Sequence, residues 1–97
     1  MAEVTFHPEA QAEYEVAYDW YWARSATAAR RFEKELLRIL GLVADSPHMF
    51  PKYDDEHRFA VLKRYPYSVV FRPETERVYV VAVPHAARKP GYWKRRT

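Results

Sequence analysis

Val78–Arg96 reads VYVVAVPHAARKPGYWKRR, and its two halves differ in kind. Val78–Val83 is an unbroken apolar run rich in β-branched residues. Such a strand must be covered on both faces, so it predicts the central strand of a sheet. Pro84 removes a backbone donor and ends regular pairing. Beyond it stand His85, Arg88, Lys89, Tyr92, Trp93, Lys94, Arg95 and Arg96, with no acidic residue among them. A buried strand that empties into a basic, aromatic tail over 86–97 holds functional groups at a fixed point on a rigid frame. The activity is expected there.

The preceding segments supply the rest of the sheet. Arg58–Tyr65 and Tyr67–Arg72 both alternate in polarity, and Pro73-Glu74-Thr75-Glu76 has the chemistry of a type I turn with Pro73 at its second position. Short links between the three strands predict an antiparallel meander. At the other end of the chain, Glu3–Phe6 reads as a short edge strand, followed directly by His7-Pro8. Pro8 suits the first position of a helix, and Glu9 and Glu13 sit favourably near its positive end.

That helix is expected to run to about Arg24. Ala10, Tyr14, Ala17/Tyr18 and Tyr21 form its apolar stripe, with Trp20 and Trp22 off the stripe and at least one of them partly exposed. Ser25 is an N-cap for a second helix, in which Ala29, Phe32, Leu36, Ile39/Leu40 and Val43 share a face. Gly41, unfavourable in a helix, suggests close approach of another helix or an adjustment of the chain. Ser46-Pro47 stops the helix, and residues 47–57 read as an irregular crossover. The order β-α-α-β-β-β predicts an α+β domain over residues 1–97, with two layers: an N-terminal helical hairpin packed on a small, mainly antiparallel sheet.

With 97 residues, 48% of them hydrophobic, the chain has material for one modest core. It has no cysteine, hence no disulfide framework and no thiolate metal site. Neither a signal peptide nor a membrane-spanning run is read from the sequence, so a cytoplasmic protein without membrane contact is expected. The net charge of +3 hides an asymmetry: residues 1–57 hold 6 Lys and Arg against 11 Asp and Glu, and residues 58–97 hold 10 against 2. The second part is positive enough to attract a polyanion or an acidic protein segment.

Other chemistries lack their residues. His7, His48, His57 and His85 have no spacing that builds a metal site. Only Gly41 and Gly91 are present, too few for a glycine-rich phosphate loop. None of Ser25, Ser46 and Ser68 stands out as a nucleophile.

Several pieces together resemble the RelE/ParE superfamily of toxins from bacterial type II toxin–antitoxin modules. They are VTFHPEAQAEY at the start, Trp20-Tyr21, Arg31-Phe32, Ser46-Pro47, Arg58 opening a strand, Pro66-Tyr67, and V-x-H-x-x-R-x-P at Val83–Pro90. The ordered set spans almost the whole chain, and the last pattern looks more like the ParE branch. The resemblance implies the fold already described, no cofactor and no metal, and a cognate antitoxin protein bound in a hetero-oligomer. It implies one of two activities. ParE-like members poison DNA gyrase, whereas RelE-like members cut messenger RNA in the translating ribosome without a metal. A non-toxic RNA-binding relative is a third reading.

RNA cleavage needs a base, cations at the phosphate and an acid. For a nuclease the catalytic candidates are His85, Arg88, Tyr92 and Arg58. Arg58, Arg64 and Arg72 are read as a basic strip across one sheet face, and Arg64 and Arg72 join Lys89, Trp93, Lys94, Arg95 and Arg96 as candidates for binding a partner or nucleic acid. Trp20 and Trp22 are candidate antitoxin anchors. Each has a plainer reading: His85 caps the strand end, the arginines are solvated, and Tyr92 and Trp93 pack back over the sheet.

Overall fold

The structure, a computed structural model, describes residues 2–97. Within them the order is β1 (Glu3–Phe6), α1 (Pro8–Trp22), α2 (Ala26–Asp45), β2 (Arg58–Val61), β3 (Ser68–Pro73) and β4 (Arg77–Ala82), with a 3₁₀ turn at Pro47–Met49. The sheet runs β1-β4-β3-β2. The apolar strand is therefore interior, as its composition requires, and every residue from Val78 to Ala82 is buried. β1 pairs parallel to β4 at the edge, while β4–β3 and β3–β2 are antiparallel. The parallel pair follows from the connection, because the helical hairpin carries the chain across one sheet face between β1 and the meander.

Local chemistry explains the helix starts. Pro8 opens α1, and the His7 ring accepts the Glu9 N–H through Nδ1 at 3.0 Å. Ser25 caps α2, its Oγ accepting from Ala28 N–H at 2.9 Å. Phe32, Leu36, Ile39 and Val43 of α2 pack with Ala10 and Ala17 of α1 onto Val69, Phe71, Val78 and Val80. Trp20 and Trp22 are both half-exposed.

Two expectations need correction. Gly41 does not mark a close helix approach, since a Cβ placed there meets nothing within 4 Å. Gly41→Ala is therefore expected to stabilise the protein by about 0.5–1 kcal/mol, the helix-propensity difference alone. A rise in the urea midpoint with unchanged slope would show it. The second correction concerns β2, which stops at Val61 rather than reaching Tyr65. The Leu62 N–H already bonds back to the Tyr67 carbonyl, and Arg64 takes a left-handed φ of 68° in the turn.

The sheet face away from the helices is also covered. Trp93 of the tail lies against Val70, Tyr79, Val81 and Ala82, with Phe59 and Tyr92 beside it. The tail thus completes the second layer of the core.

Candidate functional site

The site begins with an irregularity in β4. Val70 pairs with Ala82 but Phe71 pairs with Val80, so Val81 is an extra residue in that strand. Strict alternation from Val78 and Val80 would send Ala82 to the helix side. Instead Val81 and Ala82 both join the cluster under Trp93, and Val83 joins the helix-side core. A bulge of this kind re-aims everything that follows it. Pairing then continues past Pro84, with the Ser68 N–H on the Pro84 carbonyl at 3.1 Å and His85 bridged to Tyr67. His85 consequently faces the same side as Val83, its ring edge-on to Tyr67 with centroids 5.0 Å apart.

On that side lies an open cleft of about 430 Å³ between α1 and the tail, lined among others by Glu13, Val16, His85, Arg88, Tyr92 and Arg96. The His85 Nδ1 accepts the Ala87 N–H at 2.9 Å, which places the proton of the neutral ring on Nε2. The Arg88 guanidinium carbon stands 3.9 Å from the centre of the Tyr92 ring, a cation–π contact. Tyr92 donates its hydroxyl to Glu13 Oε2 at 2.7 Å. Arg96 grips the same carboxylate with both terminal nitrogens at 3.0 Å. The Val83 N–H donates to Glu13 Oε1 at 2.9 Å. Glu13 on α1 therefore joins the end of β4 to two points of the tail.

The titrations follow from this geometry. Burial works against ionisation of Glu13, but hydrogen bonds from Arg96, Val83 and Tyr92 outweigh it and hold the carboxyl below the usual range. Burial, followed by the hydrogen bond to the Glu13 carboxylate, pushes the Tyr92 phenol well above its ordinary value. Its proton is thus held more firmly than in a free tyrosine.

Three of the four catalytic candidates, His85, Arg88 and Tyr92, share this cleft. Arg58 is elsewhere: its guanidinium donates to the carbonyls of Phe50 at 2.6 Å and His48 at 3.3 Å, bracing the crossover loop. It lines a different cleft, with Arg72, Asp54, Asp55 and Glu56. The expected basic strip does not form. Arg64 sits in the β2–β3 turn, and Arg72 turns to the carbonyls of Arg96 and Thr97 and lies 3.7 Å from Glu74. Trp93 has 2% of its surface exposed, so it has no free face for a base or a partner. Lys89, Lys94 and Arg95 are exposed along the tail, and Arg96 is committed to Glu13.

Glu13 is the cleft residue that sequence reading valued only for its place near a helix start. Glu9 and Glu13 are one turn apart on α1, but nothing local to them signals Val83, Tyr92 or Arg96.

Residues 4–90 match the family described as ParE toxin of type II toxin-antitoxin system, parDE. A solved structure described as the chromosomal ParDE TA system from P. aeruginosa superposes with a TM-score of 0.74 at 17% identity, over 88% of this chain and 96% of that one. That likeness bears on the fold, which the two chains share. No curated protein matches the sequence at a significant level. The family match takes in β1 from Val4, both helices, the other three strands and the His85–Arg88 turn. The chain belongs to the ParE toxin family of type II toxin–antitoxin modules.

Proposed function

We propose that the protein is the toxin of its module, that it acts in the cytoplasm by binding and inhibiting DNA gyrase, and that a cognate antitoxin neutralises it in a hetero-oligomer. Arg88 carries this reading. It is the exposed cation of the cleft, propped on Tyr92, while the neighbouring Arg96 is taken up by Glu13 and Glu9. A guanidinium stacked on a ring and without an acidic partner among the described residues is a binding element. Nuclease chemistry is served less well, because the Tyr92 proton is held by Glu13 and Arg58 lies in another cleft. The half-exposed Trp20 and Trp22 offer anchors for the antitoxin. No helix among the described residues is long and apolar enough to cross a membrane.

A supercoiling assay with purified gyrase, run beside primer extension on a translated reporter transcript, tests the reading. The expected result is failed supercoiling, accumulated cleaved DNA complexes and an intact transcript. Arg88→Ala should weaken inhibition at least about tenfold, the loss expected of a central charged contact. Cut transcripts with unimpaired supercoiling would replace gyrase inhibition by RNA cleavage. Co-purification with the product of the adjacent reading frame, and recovery of supercoiling when it is added, tests neutralisation.

A further inference from the structure

We propose that Glu13 is a positioning residue: acting through Tyr92, it sets the Arg88 guanidinium in the orientation that engages the toxin's target. The inference rests on the gyrase-binding reading for its functional arm alone.

The chain of contacts is short. Glu13 Oε2 holds the Tyr92 hydroxyl at 2.7 Å, and the Tyr92 ring carries Arg88 on its face at 3.9 Å. A phenol that donates to a carboxylate has a more electron-rich ring, which strengthens its hold on a cation. Arg88 is exposed and has a long, flexible side chain, so a fixed ring beneath it removes much of the ordering cost at binding. Tyr92 is fixed because Glu13 is itself fixed, by the Val83 N–H at the end of β4 and by Arg96.

Charge makes a second contribution. A free carboxylate in this cleft would pair with Arg88 and cancel it. Arg96 prevents that for Glu13, which it holds at 3.0 Å inside the cleft, while Glu9, 3.6 Å away, is largely exposed and screened by solvent. The pair Glu13–Arg96 is close to neutral as a unit, and Arg88 keeps its charge for the target.

The test uses the full chain and the substitution Glu13→Gln, which keeps the size and an acceptor for Tyr92 or Val83 but removes the charge. The side-chain resonances of Arg88, assigned by comparison with Arg88→Ala, report the stacking directly. In the native protein they should be shifted upfield by the Tyr92 ring, and in Glu13→Gln they should move most of the way to free-arginine values. Tyr92→Phe, which keeps the ring and cuts the tether, should do the same. It also covers the case in which Glu13→Gln fails to fold.

In the supercoiling assay, Glu13→Gln should raise the inhibitory concentration about tenfold, as expected of coupled groups in one network. Glu13→Gln combined with Arg88→Ala should be no weaker than Arg88→Ala alone. The proposal is overturned if both Glu13→Gln and Tyr92→Phe leave the Arg88 resonances in place. Additive losses in the double variant would overturn it as well. A native protein that leaves gyrase untouched yet shows the Arg88 shift and its loss in Glu13→Gln would sink the target assignment and keep the positioning role.

Discussion

Trp93→Ala is expected to lower stability by about 3–5 kcal/mol, the range for truncating a buried aromatic side chain. The ring is 2% exposed and packs on Val70, Tyr79, Val81 and Ala82. It also meets His57 and Tyr53 edge-on, at centroid distances of 4.7 and 4.9 Å. Small domains hold only about 5–15 kcal/mol in all, so a loss of this size removes a large share of the stability. Trp93 is also what fastens the tail to the sheet, so its removal should release Tyr92 and Arg88 from the cleft. Urea unfolding should show the drop in midpoint, and inhibition of the target should fall with it. Trp93→Phe keeps most of the apolar contact and should lose clearly less. Equal midpoints for Trp93→Ala and the native protein would mean that the second core layer contributes little.

Glu13→Ala should follow at about 2–4 kcal/mol, the cost of removing one member of a buried ion pair, reduced here because Arg96 keeps some exposure. Glu13 and Arg96 have 17% and 12% of their side-chain surface exposed. Alanine leaves the Tyr92 hydroxyl and the Val83 N–H without their acceptor and Arg96 with only the Val81 carbonyl at 3.1 Å and the exposed Glu9 at 3.6 Å, and groups stripped of a partner in this way cost more than the bonds were worth. Arg96→Met added to Glu13→Ala should therefore recover part of the loss, which a double-mutant cycle measures. The pH dependence has a defined sign. The folded-state carboxyl of Glu13 titrates below its ordinary value of 4.5, so its contribution is complete above that pH and is lost as the pH falls through the lowered value. Glu13→Ala should flatten the acid side of the stability profile relative to the native protein.

Much of the architecture can be read locally. Val78–Val83 is apolar on both faces, and that composition is stable only between two neighbouring strands under cover from both sides. Pro8 and Ser25 place the helix starts, because each answers the unmet donors of a first turn with its own chemistry. Gly41 misled because a glycine looks alike in sequence whether a neighbour presses on it or solvent does. Arg64 misled because its left-handed backbone depends on how the Leu62–Tyr67 turn closes.

The cleft was legible in its residue types and not in its wiring. His85, Arg88 and Tyr92 could be named from the tail alone, since their chemistry shows in their side chains. Their common orientation depends on the extra residue Val81, and a bulge leaves no mark in a run of uniformly apolar residues. Trp93 packs back over the sheet, as the plainer reading of the tail has it, but Arg58 could not be separated from the cleft residues until β2 was seen on the sheet. Glu13 lies 70 residues from Val83, 79 from Tyr92 and 83 from Arg96. Periodicity and propensity act over a few residues, so they give the elements and their covered faces. Contacts across such separations exist only once packing has brought the elements together, and it is those contacts that make a site from the tail.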